Sequence, residues 1–321
     1  DTAARAGPEP QCRRQVVSMV SNVDSAAKRG DSKGLRHLLS GPVARALALD
    51  QLTDSASFYG IGGVTIDFEE EPQELTESIA QFVIELRKRL APLGKIVTQA
   101  ASVNDSDHQI ARFGQVNEYL FLMLYDEHFG KAGDPGPIAS QQWFVQKMKH
   151  MLRFVPPQKA IPIVGAYGYD WNDGDSTTNG QQLTFQEIMS AVRKADKKVL
   201  HFDSTTLNPY ATWTDRASTD HRAWYLDAIT AYNQTRAAQA PGRAGTVAET
   251  APSLEGRPGP RDPTFSRRKL RHPLRSPAQY ARPFRSPPQR RHEGTVHREE
   301  IVRIEAVLDR ALEHLEGMRG I

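Results

Sequence analysis

Cysteine is nearly absent. Cys12 stands alone among 321 residues, so no internal disulfide can form and no cysteine-pair metal motif exists. Long apolar runs are missing too: no segment approaches the ~18 residues of a membrane-spanning helix, and Asp1 to Gln11 lacks the apolar core of a secretion signal. The chain starts without an initiator Met, which reads as a processed chain or a piece of a longer reading frame. His108, His128, His150, His201 and His221 are scattered, with no pair at metal-ligand spacing on one helix. No metal and no cofactor are therefore expected. The run Tyr59-Gly60-Ile61-Gly62-Gly63 is rich in glycine but precedes a strand. A dinucleotide fingerprint must follow a strand and open a helix, so nucleotide binding is set aside. Ser102 and Ser106 lack the strand–turn–helix setting of a serine nucleophile.

What is present is unevenly spread. The net charge is only +3, yet residues 236–298 hold 13 Arg and one Lys against four acids, together with 10 of the 21 prolines. The rest of the chain is therefore net acidic. The Arg/Pro-rich stretch has few apolar residues to offset the entropy of ordering, so it reads as disordered. As a basic tail it suits nonspecific contact with polyanions; the preferred reading is the translated wrong frame of a GC-rich gene, rich in Arg, Pro, Gly and Ala. The expected organisation is a disordered start over 1–14, a folded portion over 15–235, a disordered basic tract over 236–296 and an amphipathic helix over 297–319. The stripe Ile301, Ile304, Leu308, Leu312 and Leu315 supports that last helix.

Within the folded portion, short apolar strands alternate with helical segments. Strands are expected at Gln15–Val23, Val64–Phe68, Ile96–Ala101, Tyr119–Tyr125, Ile161–Tyr167 and Val199–Phe202. Helices are expected at Leu35–Phe58, Leu75–Leu90, Gln141–Phe154, Thr184–Ala195 and Trp224–Gln234, an extended start being the alternative for the first residues of the last, with a further short one at His108–Phe113. Ile79, Phe82, Val83, Leu86 and Leu90 fall at helical spacing, and Thr184 with Glu187 forms a capping box. Alternation of this kind predicts a parallel sheet covered by helices, with chemistry at the C-terminal strand ends as in a β/α barrel. An open doubly wound sheet is the rival.

The most informative segment is Gly62-Gly63-Val64-Thr65-Ile66-Asp67-Phe68-Glu69. As a strand it turns Val64, Ile66 and Phe68 to one side and Thr65, Asp67 and Glu69 to the other. Two carboxylates on one face repel each other and lose solvent, a natural way to push their pKa values apart so that one stays protonated as an acid; the alternative is a strand running into an exposed acidic loop, since Glu69-Glu70-Glu71 continues the charge. Trp143, Trp171 and Trp213 serve either to stack on a ligand's rings or to pack.

These residues resemble a known family. The segment 62–69 is similar to the Asp-Gly-x-Asp-x-Asp-x-Glu signature of glycoside hydrolase family 18, the chitinase-like barrels. Met123-Leu124-Tyr125-Asp126 resembles that family's Met-x-Tyr-Asp, and Ile163 to Gly168 resembles the following strand with its Tyr-Gly end. Tyr167-Gly-Tyr-Asp-Trp171 and Trp224 to Asn233 are most similar to family-18 domains of bacterial proteins that also carry a polysaccharide deacetylase and a glycosyltransferase.

The resemblance covers about residues 15–234. It implies a (β/α)8 barrel acting on β-1,4-linked N-acetylglucosamine polymers by substrate-assisted retention. Glu69 would be the general acid, Asp67 would orient the substrate's acetamido group, and Tyr125 would hydrogen-bond it. Asp126, Met123, Tyr167 and Trp171 would line the sugar site. A glycosyltransferase domain in the parent protein and a cell-envelope setting are implied as well.

The signature's first Asp is Gly62 here and its middle Asp is Thr65. The first two strands and the last strand are not evident, so a truncated barrel is expected. A non-catalytic carbohydrate-binding domain, or an inactive fragment of a larger synthase, is the alternative.

Overall fold

The computed structural model describes residues 16–24, 29–239 and 247–249. Six strands form one parallel sheet in the order β1, β4, β5, β6, β7, β13. These are β1 (Val17–Ser21), β4 (Gly63–Asp67), β5 (Ile96–Ser102), β6 (Tyr119–Met123), β7 (Ala160–Gly165) and β13 (Val247–Glu249). A small hairpin of β2 (Val23–Asp24) and β3 (Arg29–Gly30) follows β1. Helices α1 (Ser32–Ser40), α2 (Pro42–Phe58), α3 (Thr76–Leu90), α4 (Asp107–Val116) and α5 (Gln141–Met151) connect the strands. This is an α/β barrel left incomplete among the described residues: β1 and β13 are its outer strands.

Alternation along the strands decides what faces what. Val64 and Ile66 of β4, Val97 and Ala101 of β5 and Leu120 and Leu122 of β6 pack under the helices. Thr65, Asp67, Thr98 and Met123 take the opposite face. Helix α3 turns Ile79, Phe82, Val83, Leu86 and Leu90 into that core, and these residues recur at i, i+3, i+4 and i+7. It stops at the turn Ala91–Leu93, where Gly94 adopts φ +68°.

Four expectations need correction. The periodicity over Leu35–Phe58 belongs to two helices, broken at Gly41. Pro42 disfavours a helical conformation in the residue before it and serves itself as the first residue of α2. The segment after β7 is not a further run of β/α units. Strands β8 (Gly168–Asn172), β9 (Gln181–Leu183), β10 (Lys197–Asp203), β11 (Asn208–Thr214) and β12 (Asp220–Tyr225) build a separate antiparallel sheet, order β10-β11-β12-β8-β9. Helix α6 (Phe185–Lys194) covers one face through Ile188 and Val192. The physical reason is connection length. The Asp203 side chain accepts from the amides of Thr205 and Thr206, and Asp215 from those of Ala217 and Thr219. Each makes a tight turn that only an antiparallel neighbour can follow.

Third, the helix read from Trp224 starts later, and the extended alternative for its first residues holds: Trp224 lies in β12, and helix α7 (Ala228–Ala238) begins after the cap Asp227. Fourth, the stretch read as disordered from 236 contains the end of α7 and the strand β13. That strand pairs in parallel with β7, Val247 opposite Ile163, so a strand beyond β7 is present after all. The expected disordered start over 1–14, the remainder of the basic tract and the helix over 297–319 lie outside the described residues. No described helix is long and apolar enough to cross a membrane.

Candidate active site

Asp67 is the last residue of β4 and is 9% exposed, whereas Glu69 lies two residues beyond the strand and is exposed. Beneath Asp67, Thr65 pairs with Thr98 across the β4–β5 register, their hydroxyl oxygens 2.8 Å apart and buried. Where the family signature carries a second Asp, this chain has a neutral hydroxyl pair. Beyond Asp67 the ladder with β1 stops, and a side chain continues it. Asn22 accepts from the Glu69 amide at 2.7 Å and donates to the Glu69 carbonyl at 3.0 Å. Gly30 of β3 lies against the same carbonyl: a Cβ placed there would stand 2.1 Å from the Glu69 oxygen. Glu70 follows at φ +51°, its carbonyl accepting from the Ser32 hydroxyl at 3.0 Å. The position of Glu69 is thus set by β1, β3 and the start of α1. Sequence reading missed Asn22 and Gly30, because neither falls in a motif.

Two further carboxylates gather here. Burial first, and then the neighbouring charge of Asp105, push Glu71 up to about 8; Asp67 and Glu69 add to the same direction. Burial pushes Asp105 up to about 6, opposed by its bond from the Ser102 amide. Glu71 therefore holds its proton at neutral pH. A strand end with four acids in its electrostatic reach limits its total charge in this way.

On the next strands, Met123 ends β6, and Tyr125 and Asp126 follow directly. Asp126 adopts φ +64°, an uncommon conformation for a side-chain-bearing residue. Its carboxylate accepts from the Tyr167 hydroxyl at 2.6 Å, with Tyr169 further off at 3.5 Å. Burial, then the charge of Asp126, raises the Tyr167 hydroxyl well above the ordinary phenol range, so it remains a donor. The rings of Tyr125, Tyr167, Tyr169 and Trp171 meet in succession at centroid distances of 5.9, 5.8 and 5.8 Å. Gly165 makes room for Tyr125, whose Cβ would lie 2.8 Å from an added Cβ.

Of the expected site residues, Asp67, Glu69, Met123, Tyr125 and Asp126 all sit at the C-terminal ends of β4 and β6. Tyr167 and Trp171 are each 2% exposed, so their rings are covered. Tyr167 holds Asp126, and Trp171 donates its indole N–H to the Lys131 carbonyl at 3.0 Å, fixing the loop after Asp126. Both side chains make supporting contacts within the chain. Among the described residues no cluster of His, Cys, Asp and Glu is arranged to hold a metal ion.

The comparisons with known proteins agree with this layout. YdhD of Bacillus subtilis, named as a sporulation-specific glycosylase, is 26% identical over 220 residues, covering 66% of this chain and 52% of that protein. The cortical fragment-lytic enzyme of Bacillus subtilis is 24% identical over 225 residues, covering 66% of this chain and 51% of that protein. The chain thus spans about half the length of these relatives. Among solved structures, YdhD superimposes with a TM-score of 0.65 at 23% identity, over 72% of this chain and 79% of that one. A chitinase from Chromobacterium violaceum does so with a TM-score of 0.63 at 22% identity, over 74% and 75%. These likenesses show the barrel fold. The model of glycosyl hydrolases family 18 matches residues 27–241, two thirds of the chain, and the chain belongs to that family.

Proposed function

We propose that this chain hydrolyses β-1,4 linkages in polysaccharides that carry N-acetylglucosamine, by substrate-assisted retention. The observation that carries the reading is the division of environments at the end of β4. Asp67 is buried at the strand terminus, and Glu69 is exposed two residues on with its main chain fixed by Asn22. An exposed carboxyl can reach a glycosidic oxygen and protonate it. A buried one beside it can orient the acetamido group that attacks the anomeric carbon, so no enzyme carboxylate forms a covalent bond, unlike the usual two-carboxylate scheme. In this reading the Tyr125 hydroxyl donates to the acetamido oxygen, and Asp126 and Met123 contact the sugar.

Among the named relatives are a chitinase and a cortical fragment-lytic enzyme. Both names fit a substrate bearing N-acetylglucosamine. The likeness to domains joined to a deacetylase and a glycosyltransferase supports a polysaccharide at the cell envelope as the physiological substrate.

Turnover of N-acetylglucosamine oligomers tests the reading. Glu69→Gln should lower kcat by ~100-fold or more. Fully de-N-acetylated oligomers should not be cleaved, and the first product should retain the β configuration. Equal turnover of the de-N-acetylated oligomers would exclude assistance by the substrate. Unchanged turnover by Glu69→Gln would remove Glu69 from its role.

A further inference from the structure

Among the described residues strand β10 is an edge strand: it pairs with β11 on one side and is the last strand of its sheet. Its seven residues read Lys197-Lys198-Val199-Leu200-His201-Phe202-Asp203. Val199, Leu200 and Phe202 are 53%, 61% and 56% exposed. Long edge strands with exposed apolar side chains are templates for pairing with another strand, and natural proteins blunt them with charges (especially Lys), prolines or bulges. Here the charges stand only at the two ends.

The end charges have opposite sign, and that selects a partner. Two copies of a strand related by a two-fold axis pair antiparallel, each residue i of one copy opposite residue j of the other. Centred on Leu200, this register overlaps all seven residues. It sets Lys197 opposite Asp203 at both ends, Lys198 opposite Phe202, Val199 opposite His201, and Leu200 opposite its own copy. Moving the centre one residue back to Val199 sets Lys197 against His201, and moving it forward to His201 sets Val199 against Asp203. Cross-strand pairs of opposite charge stabilise a ladder and like charges oppose it. We infer that β10 is a homodimerisation edge, joining the antiparallel sheets of two copies of this chain with the two-fold axis at Leu200. The Asp203 carboxylate that holds the 204–206 turn stands at the end of the strand, in the register that meets Lys197 of the second copy.

Sedimentation of the full chain at micromolar concentrations tests the association, and cysteine cross-linking tests the register. With Cys12 replaced by Ser, Leu200→Cys should give a disulfide-linked dimer on mild oxidation, because residues at the axis face each other within disulfide reach. Lys198→Cys should not, since its own copy lies four residues along the strand, about 13 Å away. Lys197→Asp should raise the dimer dissociation constant ~3-fold or more, and high salt should narrow that difference. Both cysteine sites are exposed and leave the sheet core intact. A monomer at every concentration, as expected if another segment of the chain covers β10, would overturn the inference. So would a dimer that cross-links equally well through both cysteines, or one that Lys197→Asp leaves unchanged.

Discussion

Asn22 grips the main chain of Glu69 from both sides, accepting from its amide at 2.7 Å and donating to its carbonyl at 3.0 Å. Because Ser21 is the last β1 residue in register with Asp67, the Asn22 amide does what a further strand residue would have done, without committing Glu69 to the sheet. Asn22→Ala removes both bonds, and because Glu69 is exposed water takes their place, so the loss is about 0.5–1.5 kcal/mol per bond. Loss of positioning should lower kcat by ~10-fold or more while KM changes less. Asn22→Asp keeps the acceptor, loses the donor and adds a negative charge beside the acid. It should therefore lose more activity than stability. Thermal unfolding and steady-state kinetics on both variants separate the two effects; equal kcat in both variants and the parent would remove Asn22 from the positioning role.

Gly30 contributes from the opposite direction. A methyl group there would stand 2.1 Å from the Glu69 carbonyl oxygen, far inside contact distance. Gly30→Ala must therefore displace either the β2–β3 hairpin or the Glu69 main chain. The expected loss is about 1–3 kcal/mol, as for other overpacked sites, larger than that of an exposed helix-surface variant such as Lys149→Ala. Parallel melts of the two variants make the comparison.

The pH dependence of stability should carry the signature of Glu71. Its carboxyl is raised to about 8, chiefly by burial and then by Asp105. Between the ordinary carboxylate range and that value the folded chain binds a proton that the unfolded chain releases. Stability contributed at this position is thus full at low pH and falls as pH rises toward 8. Glu71→Gln keeps the shape and removes the charge. The variant should match the parent near pH 5 and exceed it above pH 8, by a gain on the order of 1–3 kcal/mol. Melting curves at the two pH values decide it; a variant less stable than the parent at pH 8 would contradict the assignment.

How much of this was legible in the chain depends on how local the cause was. The 3.6-residue spacing of Ile79, Phe82, Val83, Leu86 and Leu90 and the cap at Thr184 with Glu187 are local signals, and the helices sit where they point. Asp67, Glu69, Tyr125 and Asp126 stood out because strand alternation and a family resemblance both singled them out. The antiparallel sheet was misread because Val199–Phe202 looks the same whether its neighbour is parallel or antiparallel. Only the length of the 204–207 turn distinguishes the two. Strand β13 was hidden because three residues in a tract rich in Arg and Pro carry little periodicity. Asn22 and Gly30 act on Glu69 across 47 and 39 positions of sequence, a distance at which no local pattern survives. The resemblance put Tyr167 and Trp171 at the sugar site, with packing the alternative for Trp171; both are 2% exposed, a burial set by tertiary packing that no local pattern encodes.

The hold of Tyr167 on Asp126 gives a prediction that tests support against contact. Asp126 sits at φ +64° with its carboxylate 2.6 Å from the Tyr167 hydroxyl and 3.5 Å from that of Tyr169. Backbone conformations of this kind persist when surrounding contacts fix them. Tyr167→Phe removes the shorter bond, one to a charged acceptor, and should cost about 1.5–3 kcal/mol. Tyr169→Phe removes the longer and should cost less. If Tyr167 acts by orienting Asp126, its loss should raise KM for N-acetylglucosamine oligomers. Asp126→Asn should do the same, and the double variant should be little worse than the more affected single, since both changes break one link. Effects that add in full would mean instead that Tyr167 reaches the sugar by its own route, which a ring 2% exposed does not allow without movement of the loop that Trp171 anchors.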